Sequence, residues 1–236
     1  MNNQLSLYDA LAFAFKRFVD HLIFIIGVGL VLFGLVSSVA LSGLLVGALI
    51  KGTTLGFHEV LACLPNAKQC ISQFFIPVVA GASFIALFIF AWLYLGYVRV
   101  MFDIHDTNSA SFSTLFSQGR KMFTYLAALI MYLLLILCGF ALLVIPGIIV
   151  MYRFGFFTLA IVDKNLGPIN ALKYSWNLTK DHNKFSFGLW LVFSIINHLA
   201  GIFALVSGGL GHLTLINGYR QLQNQVREPQ KLAQNQ

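Results

Sequence analysis

Arg153 is the only charged side chain in the apolar stretch 148–162, and it raises the first question of chemistry in this chain. A cation inside such a stretch is costly unless it faces a bundle interior or a wet cavity. Two uses compete for it. One is an anchor for a substrate headgroup or an anion. The other is structural: snorkelling to the outer interface or pairing with a carbonyl. No carboxylate lies four residues away on the same helix, so an ion-pair partner must come from another segment. Asn197, His198 and His212 also fall within apolar stretches. Imidazoles can shuttle protons or bind metal, and with Arg153 these residues would line a polar path through a bundle. The structural alternative is hydrogen bonding between neighbouring helices. No His-Glu-x-x-His or comparable spacing supports a metal site, and neither a metal nor a cofactor is expected.

Asp163 opens the run Asp-Lys-Asn-Leu-Gly-Pro, residues 163–168. Asp163 and Asn165 can close a turn on their own backbone, and Gly167-Pro168 leads into a helix with proline near its start. A lone aspartate with no acid–base partner nearby in sequence reads as part of a stiff elbow rather than as a catalytic carboxylate. Cys63 and Cys70 flank the Pro65-Asn66 turn. In an oxidising compartment they would form a disulfide; otherwise they are two thiols on an amphipathic loop. Cys138 sits in an apolar stretch, where packing is its expected role.

The elements that position these residues follow from composition. Of 236 residues, 58% are apolar and 10% charged, against ~25% charged in soluble domains. The mean hydropathy is +0.83. A soluble protein could not hide so much apolar surface. The chain is therefore expected to be an all-α, polytopic membrane helix bundle. A crossing takes ~20 apolar residues. Six stretches qualify or nearly do: 22–50, 74–98, 123–145, 148–162, 185–205 and 208–219. A tight turn at Pro146-Gly147 separates the third from the fourth. The last is short and glycine-rich.

Charge placement orients the spans. With a cytoplasmic N-terminus, twelve lysines and arginines fall on inner segments, while the outer loops hold only Lys51 and Lys68. That is a strong positive-inside bias. It predicts both termini in the cytoplasm and a multi-pass protein of the cell inner membrane. The net charge of +7 is accounted for by topology and by anionic lipid. Nucleic acid is not an expected partner, since no basic reading surface is visible.

A weak repeat organises the spans. Asp9-Ala-Leu-Ala-Phe-Ala-Phe-Lys matches Asn170-Ala-Leu-Lys-Tyr-Ser-Trp-Asn, and Thr114-Leu-Phe-Ser-Gln-Gly-Arg-Lys fits the same frame loosely. Asp9, Thr114 and Asn170 are each of N-cap type. Each segment is amphipathic at helical spacing, with Leu7, Leu11, Phe15 and Phe18 forming the first stripe. The pattern predicts six spans as three hairpins, about 6–106, 111–165 and 167–224. An amphipathic elbow helix at the interface introduces each hairpin. Residues 1–225 form one transmembrane domain, and 226–236 a polar, unstructured tail. Gly43 and Gly47 make a small-xxx-small pair suited to close helix approach.

The run Val144-Ile-Pro-Gly-Ile-Ile-Val-Met-Tyr-Arg continues through Asp163, Gly167-Pro168, Ala171, Ser175 and Trp176. It resembles the signature of an uncharacterised bacterial integral membrane family. That family is related to the membrane domain of glycerophosphoryl diester phosphodiesterases. The resemblance covers about a sixth of the chain and marks Pro146, Gly147, Arg153, Asp163, Gly167, Pro168, Ser175 and Trp176. It implies a helical membrane domain with elbow helices. It does not imply phosphodiesterase activity, because in such fusions a separate soluble domain carries the chemistry. The expected function is that of a non-enzymatic envelope protein associated with membrane lipid. The alternative is a small-solute transporter or channel.

Overall fold

A computed structural model describes residues 5–32, 34, 37, 76–199 and 204–234. Cys63, Cys70, Gly43, Gly47 and the side chain of His198 lie outside the described residues. The fold is all-α, with no strand among the described residues. The helices are α1 (Leu7–Asp20), α2 (Leu22–Leu32), α3 (Ile76–Thr107), α4 (Phe112–Leu115), α5 (Met122–Leu142) and α6 (Val144–Phe154). They are followed by α7 (Phe157–Lys164), α8 (Pro168–Thr179), α9 (Asn183–Leu199) and α10 (Ala204–Gln234). The chain forms two compact units, one of Met1–Gly29 with Trp92–Gln236 and one of Leu30–Ala91. Three helical stretches among the described residues are long and apolar enough to cross a membrane: Ser83–Thr107, Phe112–Leu142 and Val144–Lys164. They correspond to the second, third and fourth of the six stretches above.

The elbow between the third and fourth stretches differs from expectation. The chain turns at Leu143, whose backbone is extended (φ −168°, ψ 162°), and Pro146 lies inside the first turn of α6. Proline is tolerated there because the first helical N–H groups have no intrahelical partner. Gly147 serves the packing of α6 on α5. A Cβ on Gly139 would lie 2.9 Å from the Gly147 Cα, and one on Gly147 would lie 2.6 Å from the Phe140 ring. The fourth stretch is also interrupted, at Gly155-Phe156, between α6 and α7.

The repeat frame survives with its caps displaced. The N-caps are Ser6, Ser111 and Gly167, each three residues before the expected Asp9, Thr114 and Asn170. Ser6 Oγ accepts the Asp9 N–H at 3.2 Å. Pro168 takes the first position of α8, where its missing donor costs nothing. Asn165 ends α7 in the left-handed region (φ 55°, ψ 37°), a conformation asparagine adopts more readily than most residues.

α1 buries Ala10, Ala14 and Phe18, while Tyr8, Leu11, Phe15 and Val19 stay exposed. It runs beside α10 in antiparallel sense. Ser6 meets Gln221, with Ser6 N–H donating to Gln221 Oε1 at 3.2 Å. At the other end, Phe18 and Ile25 close over Gly209. α5 exposes Phe123, Ile130, Leu134 and Leu137, and the turn after it exposes Leu142 to Ile145. Cys138, expected to pack, is exposed on α5. α10 runs through Pro229 to Gln234, so residues 226–234 are helical rather than an unstructured tail. Extending an existing helix avoids the cost of a new nucleus.

Candidate functional site

Of the marked residues of the resemblance, Arg153, Ser175 and Trp176 meet at the gap between α6 and α7. Helix interruption leaves the Arg153 carbonyl and the Phe156 N–H without intrahelical partners. Ser175, fully buried on α8, serves both. Its hydroxyl donates to the Arg153 carbonyl at 2.7 Å and accepts the Phe156 N–H at 3.1 Å. Thr179 Oγ1 reaches the same carbonyl at 3.4 Å. Ser175→Ala removes the hydroxyl without filling its place. It should cost ~1–3 kcal/mol, read as a lower midpoint of thermal unfolding in detergent. Ser175→Thr, which keeps the hydroxyl, should lose less; equal losses would mean that volume and not hydrogen bonding sets the effect.

The Arg153 side chain stacks on Trp176, 4.2 Å from ring centroid to guanidinium carbon, an arrangement favoured by the ring's negative face. Its Nη2 donates to Asn183 Oδ1 at 2.7 Å, whereas the buried Nε has no hydrogen-bond partner. Asn197 Nδ2 donates to the Phe193 carbonyl on its own helix at 2.8 Å. His212 is buried among Tyr94, Tyr97 and Phe193. Its Nδ1 bonds the Gly208 carbonyl at 2.8 Å, and its Nε2 lies 3.3 Å from the Tyr94 hydroxyl. Asn197 lies near His212, its Nδ2 being 3.0 Å from a Cβ built on Gly211. Among the described residues, Arg153 shares no hydrogen-bond partner with either.

A second charged group is invisible in sequence. Arg220 on α10 grips Asp106 at the end of α3 with two nitrogens, at 2.5 and 3.3 Å. A third nitrogen lies 2.9 Å from Asp163. The guanidinium also lies 4.9 Å from the Phe102 ring centroid. Burial disfavours its charge, but the hydrogen bonds it donates to Asp106 and the charges of both carboxylates outweigh that and raise its pKa. Asp163 accepts from Tyr219 and from Gln223, each at 3.1 Å. Gln223 reaches the Tyr174 hydroxyl at 3.2 Å. On the other side, His105 Nδ1 lies 2.7 Å from Asp106 and Nε2 lies 3.4 Å from Asn217 Nδ2. Nδ2 can only donate, so Nε2 accepts and Nδ1 carries the proton. Asn217 accepts from Gln221 at 2.8 Å, which binds the Ser6 backbone. One polar chain thus runs from α8 to the start of α1.

A third polar feature is a pocket of about 450 Å³ between residues 117–124, which lead into the first turn of α5, and the end of α7 with the elbow after it. Arg120 and Lys121 line it. Lys121 Nζ donates to the Val162 carbonyl at 3.0 Å, joining link to elbow. No group of three or more metal-holding side chains occurs among the described residues. No protein-family model, curated protein or solved structure matches the chain.

Proposed function

We propose that this chain is a non-enzymatic protein of the bacterial inner membrane that associates with lipid. It would cross six times as three hairpins, with both termini in the cytoplasm. It would be related to the family whose signature 144–176 resembles. The observation that carries this reading is an apolar groove of about 600 Å³ between α1 and the α9–α10 pair. Tyr8, Leu11 and Phe15 form one side; Val192, Ile195 and Ile196 form the other. An exposed apolar seat of this kind needs a cover, and an acyl chain from the surrounding bilayer supplies one. Among the described residues Arg153 shares no hydrogen-bond partner with Asn197 or His212, which supports this reading over a polar conduit.

Two measurements test it. A reporter fused at residue 236 should signal from the cytoplasm; an outer-side signal removes the six-span topology. Phe15→Asp sets a charge in the groove and should weaken phospholipid retention there by ~2 kcal/mol, about thirtyfold. Phospholipid co-purified per protein, assayed after a detergent wash, reports it. Equal retention by the variant and by the parent protein would remove the groove as a lipid seat.

A further inference from the structure

The hydrogen-bond chain from His105 to Ser6 has a fixed direction, and a proton on His105 would reverse it. The direction is set at the Ser6 end. A backbone N–H can only donate and a backbone carbonyl can only accept. Ser6 N–H meets Gln221 Oε1 at 3.2 Å, and the Ser6 carbonyl meets Gln221 Nε2 at 3.4 Å. Both contacts hold for one orientation of that amide and fail for the other. Gln221 Nε2 therefore donates to Asn217 Oδ1 at 2.8 Å. Asn217 Nδ2 is left to face His105 Nε2, where the neutral ring accepts.

A second proton on the ring makes Nε2 a donor, opposed to the Asn217 Nδ2 donor. Turning the Asn217 amide presents Oδ1 to the ring but sets Nδ2 against Gln221 Nε2. Turning Gln221 as well sets N–H against N–H, and oxygen against oxygen, at Ser6. The Ser6 backbone cannot turn, so the misfit comes to rest at the start of α1. Charge acts in the same sense. Arg17 of α1 lies 5.4 Å from the Phe13 ring centroid, and that ring packs 4.9 Å from the His105 ring. Arg17 and Arg220, from α1 and α10, both oppose an imidazolium, while Asp106 beside it favours one. Asp163 of α7 pairs with Arg220. The His105 side chain keeps 11% exposure and that of Asp106 38%, so water can deliver the proton.

We propose that His105 is a pH-sensitive latch, whose protonation unseats the start of α1 from α10 and so opens the apolar groove walled by Tyr8, Leu11 and Phe15. The seated form needs the neutral ring. It therefore holds fewer protons than the unseated form and loses occupancy as the pH falls through the histidine range. That the opened groove gives up a lipid rests on the reading above; the latch does not.

The test uses the full chain in non-ionic detergent, with Cys63, Cys70 and Cys138 changed to serine. Spin labels are placed through Asp9→Cys and Asn224→Cys, two exposed positions on α1 and α10. Between about pH 8 and about pH 5 the fraction of molecules with the longer label separation should rise about fivefold or more. His105→Gln, which takes no proton, should hold the short separation at both values. Asn217→Leu leaves His105 free to titrate but cuts the chain to Gln221, and it too should lose the response. The thermal midpoint at the higher pH shows that each variant folds, and either one suffices if the other does not. An unchanged separation in the parent protein, or a response retained in His105→Gln or in Asn217→Leu, would overturn the proposal. Phospholipid retained after a detergent wash at each pH is scored separately. A pH-dependent separation with constant retention would remove the groove as a lipid seat and leave the latch intact.

Discussion

Arg220→Met should destabilise the protein by ~2–4 kcal/mol, below the full cost of breaking a buried ion pair because the cluster is partly wet. The side chains of Arg220, Asp106 and Asp163 retain 26, 38 and 15% exposure. The loss arises from what remains. Without the guanidinium, two carboxylates face one cavity with no cation between them, and the Gln223 carbonyl loses a donor at 3.0 Å. Arg220→Lys should recover only part of the stability, since one ammonium cannot grip Asp106 with two nitrogens and reach Asp163 with a third. The decisive comparison is the triple variant Arg220→Met with Asp106→Asn and Asp163→Asn. Removing all three charges together should restore more than half of the loss. The thermal midpoint in detergent is the readout, with the yield of folded protein beside it. If the triple variant were no better than Arg220→Met, uncompensated charge would not be the cause.

The second large effect is expected at Gly96, where α3 passes against α4. A Cβ there would overlap the Leu115 carbonyl oxygen and stand 2.9 Å from the Leu115 Cα. The obstacle is backbone, so no rotamer change can make room. Gly96→Ala must push α4 away from α3. The push also breaks the bond from the Trp92 indole N–H to the Phe116 carbonyl, now 3.2 Å. Overpacking usually costs 1–3 kcal/mol, and this substitution belongs at ~3 kcal/mol or above. Gly81→Ala is the control. Its methyl meets nothing within 4 Å, and alanine is the better helix former by ~1 kcal/mol. Its thermal midpoint should therefore hold or rise. A Gly96→Ala midpoint within 1 °C of the parent protein would show that α4 yields without cost.

Helical class and apolar stretches were legible in sequence because each depends on residues close together in the chain. The elbow at Gly167-Pro168 was legible for the same reason. The Arg220 cluster was not. Asp163 looked like an isolated carboxylate, and Arg220 looked like one more cation marking the inner side. Their association needs the middle of α10 to meet the ends of α3 and α7, and Arg220 lies 114 residues from Asp106. The gap at Gly155-Phe156 was hidden for a related reason. Ser175, which completes it, sits 19 residues beyond Phe156. At Pro146-Gly147 the residue types suggested a turn. The close contact of Gly147 with α5 and the neutral cost of proline in a first turn moved that turn to Leu143.

The meeting of Ser6 with Gln221, across 215 residues, bears on the order of assembly. α1 leaves the ribosome early, yet the surface that covers Ala10, Ala14 and Phe18 is made late. At 5–20 residues per second the wait is roughly 10–40 s. Through that interval the helix must shelter its apolar side on something transient, whether bilayer, insertion machinery or chaperone. Docking of α1 therefore waits on the synthesis of α10, and any failure to make α10 leaves Ala10, Ala14 and Phe18 without that cover.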